Sequence, residues 1–330
     1  MYIIDLPEVD DASSAGAKAA NLGCLLRHGF DVPAGFVITS QALALFLEES
    51  GLGPQVDEVL TGQGRYEDLL AAVHDQPLPA MWTDAVVPSA EAMLRDSSCG
   101  LAVRSSGSHE DSSSASFAGV YESILGVCSV DELWSAVKTC WGSSWAPGAL
   151  AYSRRMGVEP EAHSMAVIVQ RLLPADSAGV LFTADPQTGN PWRFVAESTF
   201  GLAQDLVGGG GTVPADRYVL AWDTGELLEQ DTTQKSSALR AGPSGIAQQE
   251  LPTRQQAEPS LTPLQATQLS QMGLAIDRLL GCRVDIEWVV VDGEISVVQA
   301  RPLTALPAFF PYHLPAEKGR YTWRPVPLWP

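Results

Sequence analysis

The chain is poor in the features that mark several large classes of protein. Its 330 residues include only 20 Lys and Arg against 39 Asp and Glu, a formal net charge of −19. That balance excludes a general nucleic-acid binder, whose affinity rests on a basic surface. A polyanionic ligand would need a local basic cluster or metal ions to overcome the field. There are five cysteines (Cys24, Cys99, Cys128, Cys140, Cys282), odd in number, scattered, and never in CxxC spacing. Buried free thiols are therefore expected, rather than disulfides or a zinc site. The five histidines are equally dispersed, with none in an HExxH or Ser/His/Asp-like context. No apolar run is long enough to span a membrane, and there is no internal repeat. Met1-Tyr2-Ile3-Ile4-Asp5 has neither a basic region nor a signal-like apolar core. The reading is a soluble cytoplasmic protein without nucleic-acid or membrane partners. A composition 45% hydrophobic and 18% charged is ordinary for globular chains. The length suffices for one large or two modest domains.

What is present is concentrated in one stretch, residues 283–302. It is β-rich on both sides of Asp292-Gly293 and reads as a hairpin. Even positions are apolar: Val284, Ile286, Trp288 and Val290, continued by Val298 and Ala300. Odd positions hold Asp285, Glu287, Gln299 and Arg301. A two-residue turn would place Glu287 and Gln299 on opposite faces. A three-residue turn, Val291-Asp292-Gly293, would pair Glu287 with Val297 and Asp285 with Gln299, and so gather all four polar groups on one face. The second register is the one adopted here. Carboxylate and amide oxygens suit Mg²⁺, and a guanidinium suits phosphate. The plainer reading is a half-buried hairpin whose polar side meets water.

Elsewhere the signals are local. Residues 14–29 read as a helix closed by Gly29, with a small, Gly-containing approach and Lys18 in its first turn, where an anion can sit. A strand at 35–39 follows, then a helical, loop-rich region to residue 98. Leu101-Ala102-Val103 delivers Arg104 into a Ser/Gly loop whose backbone N–H groups can approach phosphate oxygens closely. Helices are predicted from Asp131 to about Trp141 and from Pro147 to Met156, and strands at 165–173, 178–183 and 194–197. Gln170 interrupts the apolar run Met165-Ala166-Val167-Ile168-Val169 of the first of these strands. Glycines 208–211 lack the Lys-Ser/Thr ending of a P-loop. A hairpin is predicted over 217–229, and residues 236–260 read as a polar, mobile loop. Thr262-Pro263-Leu264-Gln265 opens a helix running to Gly281. Residues beyond 305 look like a linker or strap. The mixture of helices and antiparallel hairpins makes the fold class α+β.

In this order, GAKAANLG (16–23), VPAGFVIT (32–39), AVRSSGSHED (102–111), SFAGVYESILGV (116–127), AGVLFTADPQTG (178–189) and DIEWVVVDGEISVVQARPLT (285–304) carry a resemblance. The chain resembles the ATP-binding domain shared by pyruvate phosphate dikinase, phosphoenolpyruvate synthase and rifampin phosphotransferase. The resemblance implies an ATP-grasp-like pair of subdomains, over 1–185 and 186–305, closing on ATP. It implies Lys18 and Arg104 as polyphosphate ligands, Gly119 and Ser123 in a loop over the phosphates, and Gln170 near the adenine. Glu287 and Gln299 become Mg²⁺ ligands with Asp285 beside them, and Arg301 a phosphate ligand; Lys18, Arg104 and Arg301 are the catalytic groups. The implied partners are a phosphocarrier His on another domain or subunit and a small-molecule acceptor such as pyruvate or rifampin. A small-molecule kinase or ligase acting directly on a metabolite is the alternative. Two departures stand out: Gly201-Leu202-Ala203-Gln204 where the family often has GLGE, and His109 in the Arg-Ser-Ser loop.

Overall fold

A computed structural model describes residues 2–107, 121–157, 165–207, 214–304 and 306–309. Five strands form an antiparallel sheet in the order β1-β2-β5-β3-β4: β1 (Ile3–Asp5), β2 (Gly35–Ile38), β3 (Leu101–Gly107), β4 (Ser123–Val127) and β5 (Met165–Arg171). A second antiparallel sheet has the order β13-β12-β6-β7-β8-β9: β6 (Ser177–Phe182), β7 (Arg193–Phe200), β8 (Asp216–Ala221), β9 (Leu227–Asp231), β12 (Val284–Val291) and β13 (Glu294–Pro302). Between β9 and β12, strands β10 (Ser237–Gly242) and β11 (Gly245–Glu250) form a separate two-stranded sheet, with one isolated bridge from Leu239 to Gly201. The class is α+β, as expected.

Strand β5 explains how the first sheet is buried. Its first six residues are all buried, as befits a central strand covered on both faces. Met165, Val167 and Val169 join the core under helices α3 (Ser40–Ser50), α4 (Gly53–Thr61), α5 (Tyr66–Asp75), α6 (Ala80–Asp96), α7 (Val130–Ser143) and α8 (Pro147–Met156). The opposite face, with Ala166 and Ile168, packs on α1 (Ala12–Ala15) and α2 (Ala17–Arg27). Alternation then places Ala102, Arg104 and Gln170 on this second face, since Ala102 pairs with Gln170 and Arg104 with Ile168.

The second sheet buries Leu181, Phe194, Ala196, Tyr218, Ile286 and Trp288 in a core shared with α10 (Pro263–Leu280). That helix begins with a full capping box between Thr262 and Gln265 and ends on Gly281 in the left-handed region. Below β8, Asp216 and Lys235 form a buried pair at 2.5 Å. The Asp216 carboxylate also accepts from the N–H groups of Thr233 and Ser260 and from the Ser260 hydroxyl.

Four features depart from the sequence reading. The first helix is broken at Gly16 (φ +81°), because a Cβ there would lie 2.2 Å from the Ser106 carbonyl oxygen. Glycine lets the start of α2 lie directly against β3. The strands at 165–171 and 177–182 do not pair with each other. The chain changes sheets between them, so β6 lies in the second sheet although a boundary at 185 assigns it to the first subdomain. Residues 237–250 are a hairpin, not an irregular loop. Leu239, Ala241 and Ile246 pack inward while β11 exposes its polar residues, and that exposed face gives the segment its polar composition. The fourth departure is the register of the β12–β13 hairpin, described with the site it builds. Gly119, His109 and Gly208–Gly211 lie outside the described residues, as does most of the tail. Phe309 packs edge-on against Trp192.

Candidate functional site

The β12–β13 turn has two residues, not three: Val291 pairs with Glu294, and Asp292 (φ +51°) and Gly293 (φ +89°) form the loop. Asp-Gly is favoured in such a turn because both central residues need positive φ. The extra residue is taken up further along. A bulge at Val298 shifts the register, so that Trp288 pairs with Val297 but Glu287 pairs with Gln299 and Asp285 with Arg301. The four polar side chains therefore do share one face, through a bulge rather than a longer turn. Val297, fully buried opposite Trp288, takes the core place assigned to Val298. Val298 instead lines the cleft.

That cleft, a cavity of about 450 Å³, lies between the two sheets and is lined from both. Lys18, Arg104, Ser123 and Gln170 enter from the first sheet and α2; Glu287, Gln299 and Arg301 enter from the hairpin. Arg104 crosses the gap. Its Nη1 donates to Glu287 Oε2 at 3.2 Å, to Gln299 Oε1 at 3.4 Å and to the carbonyl of the bulged Val298 at 3.4 Å. Arg104 and Glu287 each expose 13% of the side chain. The Arg104 Nε is buried without a hydrogen-bond partner.

Arg301 donates from Nε and Nη2 to Asp285 Oδ2, at 2.9 and 2.6 Å. Asp285 is buried and does not line the cavity, so this residue, expected beside a metal, instead grips the arginine. Lys18 is buried to 8% exposure in the first turn of α2, with Nζ 3.4 Å from the Ser105 carbonyl. The same turn is tied to β3 by the Ala19 N–H on Ser106 Oγ. Gln170 donates to the Pro33 carbonyl at 3.0 Å. Ser123 opens β4 directly opposite Arg104. Tyr121, Glu122, Arg171 and Gln204 also line the cleft and were not assigned as ligands from sequence. Tyr121 and Glu122 lie within SFAGVYESILGV, the signal that could have found them.

Four cations, Lys18, Arg104, Arg171 and Arg301, thus line one cavity of a strongly acidic chain. Among the described residues there is no cluster of three or more His, Cys, Asp or Glu. A metal held beside Arg104 would draw on the Glu287 carboxylate, the Gln299 amide oxygen and the anion itself, the pattern Mg²⁺ adopts with phosphates. At the edge of the second sheet, Asp185 closes its own turn. Burial pushes its pKa up, but hydrogen bonds from Thr188 and Gln187 and the nearby Arg217 outweigh this and hold it below the usual carboxylate value. Among the described residues no helix is long and apolar enough to cross a membrane.

An α+β chain whose two large sheets place lysine, arginine, carboxylate and amide around one cleft has the construction of an anion-binding, nucleotide-type domain. The chain belongs to the family of the pyruvate phosphate dikinase AMP/ATP-binding domain, whose model matches residues 12–315. Its relatives include the prodigiosin synthesizing transferase PigC of Serratia marcescens, 36% identical over 88% of this chain and 31% of that protein. A rifampicin phosphotransferase from a Streptomyces species is 35% identical over 92% of this chain and 36% of its own length. A probable phosphoenolpyruvate synthase of Methanothermobacter thermautotrophicus is 30% identical over 90% and 45%. The chain spans less than half the length of each of these relatives.

Proposed function

We propose that this chain is the ATP·Mg²⁺-binding, phosphoryl-donating unit of a cytoplasmic dikinase-type phosphotransferase with an ATP-grasp-like cleft. The observation that carries the reading is the convergence of Lys18, Arg104 and Arg301 with Glu287 and Gln299 on one cavity. Phosphoryl transfer requires positioning and charge neutralisation more than covalent chemistry from the protein, and this donor set supplies both.

In this reading Lys18 and Arg104 hold the polyphosphate from the first lobe and Arg301 from the second. Asp285 acts through Arg301, fixing the guanidinium by two hydrogen bonds. Ser123, opposite Arg104 on β4, faces the phosphates, and Gln170 lines the adenine end. Glu287 Oε2 and Gln299 Oε1 both converge on a single cationic nitrogen, so their placement fits a shared Mg²⁺. Bound there, Mg²⁺ would neutralise charge on the phosphate oxygens. Where the family often has a glutamate this chain has Gln204, so no acidic contribution comes from that loop residue.

By kinship with the dikinase-type proteins, the β-phosphoryl group passes to a His carrier on another domain or subunit, releasing AMP and phosphate, and then to a small acceptor. Relatives named for rifampicin and for phosphoenolpyruvate make an antibiotic or pyruvate the acceptor classes to try first. The test is ATP labelled at the β or the γ position, incubated with the chain and a candidate His carrier. Label on the carrier from the β position with AMP release is expected. Label only from the γ position would sink the dikinase route, and turnover of a small acceptor without a carrier would favour direct phosphorylation or ligation.

A further inference from the structure

We infer that Arg104 is a built-in surrogate cation, occupying the place of the metal until nucleotide and metal arrive together. The inference rests on the ATP·Mg²⁺ reading of the cleft and adds an order of loading to it. Three oxygens, Glu287 Oε2, Gln299 Oε1 and the Val298 carbonyl, point at one atom, Arg104 Nη1, at 3.2–3.4 Å. Two of these oxygens are the donors a Mg²⁺ ion would need. The guanidinium and the metal therefore compete for the same ligands.

The competition is strong because of where it happens. Glu287 and Arg104 are each mostly buried, and a buried carboxylate stripped of its cation is costly. A metal ion arriving alone would have to displace Arg104 and leave a guanidinium partly desolvated with nothing to face. Its Nε already lacks a partner. A metal arriving on a polyphosphate removes that cost. Glu287 and Gln299 pass to the metal as Arg104 passes to a phosphate oxygen, so every charge is re-paired in one exchange. The bulge at Val298 is part of the device, since it turns both Gln299 and its own carbonyl toward Arg104.

The pair also spans the lobes. Arg104 stands on β3 of the first sheet, and Glu287 and Gln299 on β12 and β13 of the second. The cleft is thereby held across its width before any ligand is present, and the site refuses free divalent metal while remaining set for the complex.

The test uses Mn²⁺ as the metal probe, titrated into the 330-residue chain without nucleotide and followed by electron paramagnetic resonance. The wild type is expected to bind Mn²⁺ weakly, and Arg104→Met to bind it about tenfold or more tightly, the scale of removing a competing cation from a partly buried carboxylate. Arg104→Met with Glu287→Gln should return to weak binding, because the gained metal sits on Glu287. Circular dichroism and thermal melting report whether each variant is folded. Arg104→Lys, whose shorter ammonium cannot reach all three oxygens, provides a second, milder substitution and an intermediate affinity. Mn²⁺ binding by folded Arg104→Met no tighter than wild type, or tight binding that survives in the double variant, overturns the inference. Calorimetry of ATP with Mg²⁺ on the wild type separates the two readings. No binding there sinks the nucleotide assignment, whereas binding there with an indifferent Arg104→Met sinks the surrogate alone.

Discussion

Asp285 and Arg301 face each other directly across the β12–β13 ladder, and one carboxylate oxygen receives two hydrogen bonds from the guanidinium. The aspartate is a support for the arginine that enters the cleft. Asp285→Asn keeps the shape and removes the charge. It should lower phosphoryl transfer about 10–100-fold, the usual scale for losing a group that orients a ligand-binding side chain, with the melting temperature nearly unchanged. Steady-state kinetics beside a thermal melt checks this; wild-type turnover would remove Asp285 from the site.

Glu287→Ala and Arg301→Ala should each abolish phosphoryl transfer, by about 100-fold or more given the size of single electrostatic contributions in such sites. Both side chains stand on the cleft face, opposite the Trp288 core, so the far-ultraviolet circular dichroism should be that of wild type. The assignment fails if either variant turns over normally.

Gly16→Ala is expected to damage folding and not only the cleft. The residue sits at φ +81°, and its Cβ would press on the Ser106 carbonyl and hydroxyl oxygens. Backbone strain and overpacking together predict a loss of about 2–4 kcal/mol, read from urea denaturation. A stability equal to wild type would mean that α2 does not approach β3 this closely.

Lys235→Met should cost about 3–5 kcal/mol, because it leaves Asp216 charged and buried without its cation. Asp216 is wholly inaccessible and Lys235 nearly so. Adding Asp216→Asn to Lys235→Met should recover part of the loss, and denaturant titration of the three proteins gives the coupling.

Asp185 supplies a pH dependence of defined sign. Its carboxyl is held below the ordinary value in the folded protein. Its contribution is therefore fully present above the unfolded pKa of about 4 and is lost as pH falls through the folded value. Asp185→Asn should be less stable than wild type at neutral pH, and the gap should narrow below about pH 4. Chemical denaturation at several pH values measures the gap, and one that widens in acid would contradict the turn geometry.

Elements with ends written in the sequence could be read in advance. The Thr262–Gln265 box opens α10 where predicted, and Gly157 closes α8. The cleft residues were readable for a different reason: their motifs carry a family resemblance that single spacings do not. Three things were hidden. The Val298 bulge has no residue-type signature, since Val-Val-Gln-Ala reads as an unbroken strand, and only the three-dimensional register distinguishes a bulge from a longer turn. The Asp216–Lys235 pair joins residues 19 apart that each look like ordinary surface charges. The β10–β11 hairpin was masked by its own exposed face: the Pro243-Ser244 turn flanked by Gly242 and Gly245 was the available signal.

That hairpin touches both halves of the molecule. The Leu202 N–H donates to the Leu239 carbonyl, the Cys99 thiol to the Ala241 carbonyl, and Arg240 to the Ala175 carbonyl in the crossover between the sheets. The two large sheets are therefore stitched together through this hairpin. The Arg104 side is tied by backbone as well, since the Val297 N–H of β13 donates to the Asp31 carbonyl at 2.8 Å. Parting Arg104 from Glu287 would therefore leave the two sheets joined, through residues 239–241 on one side and through Asp31 and Val297 on the other.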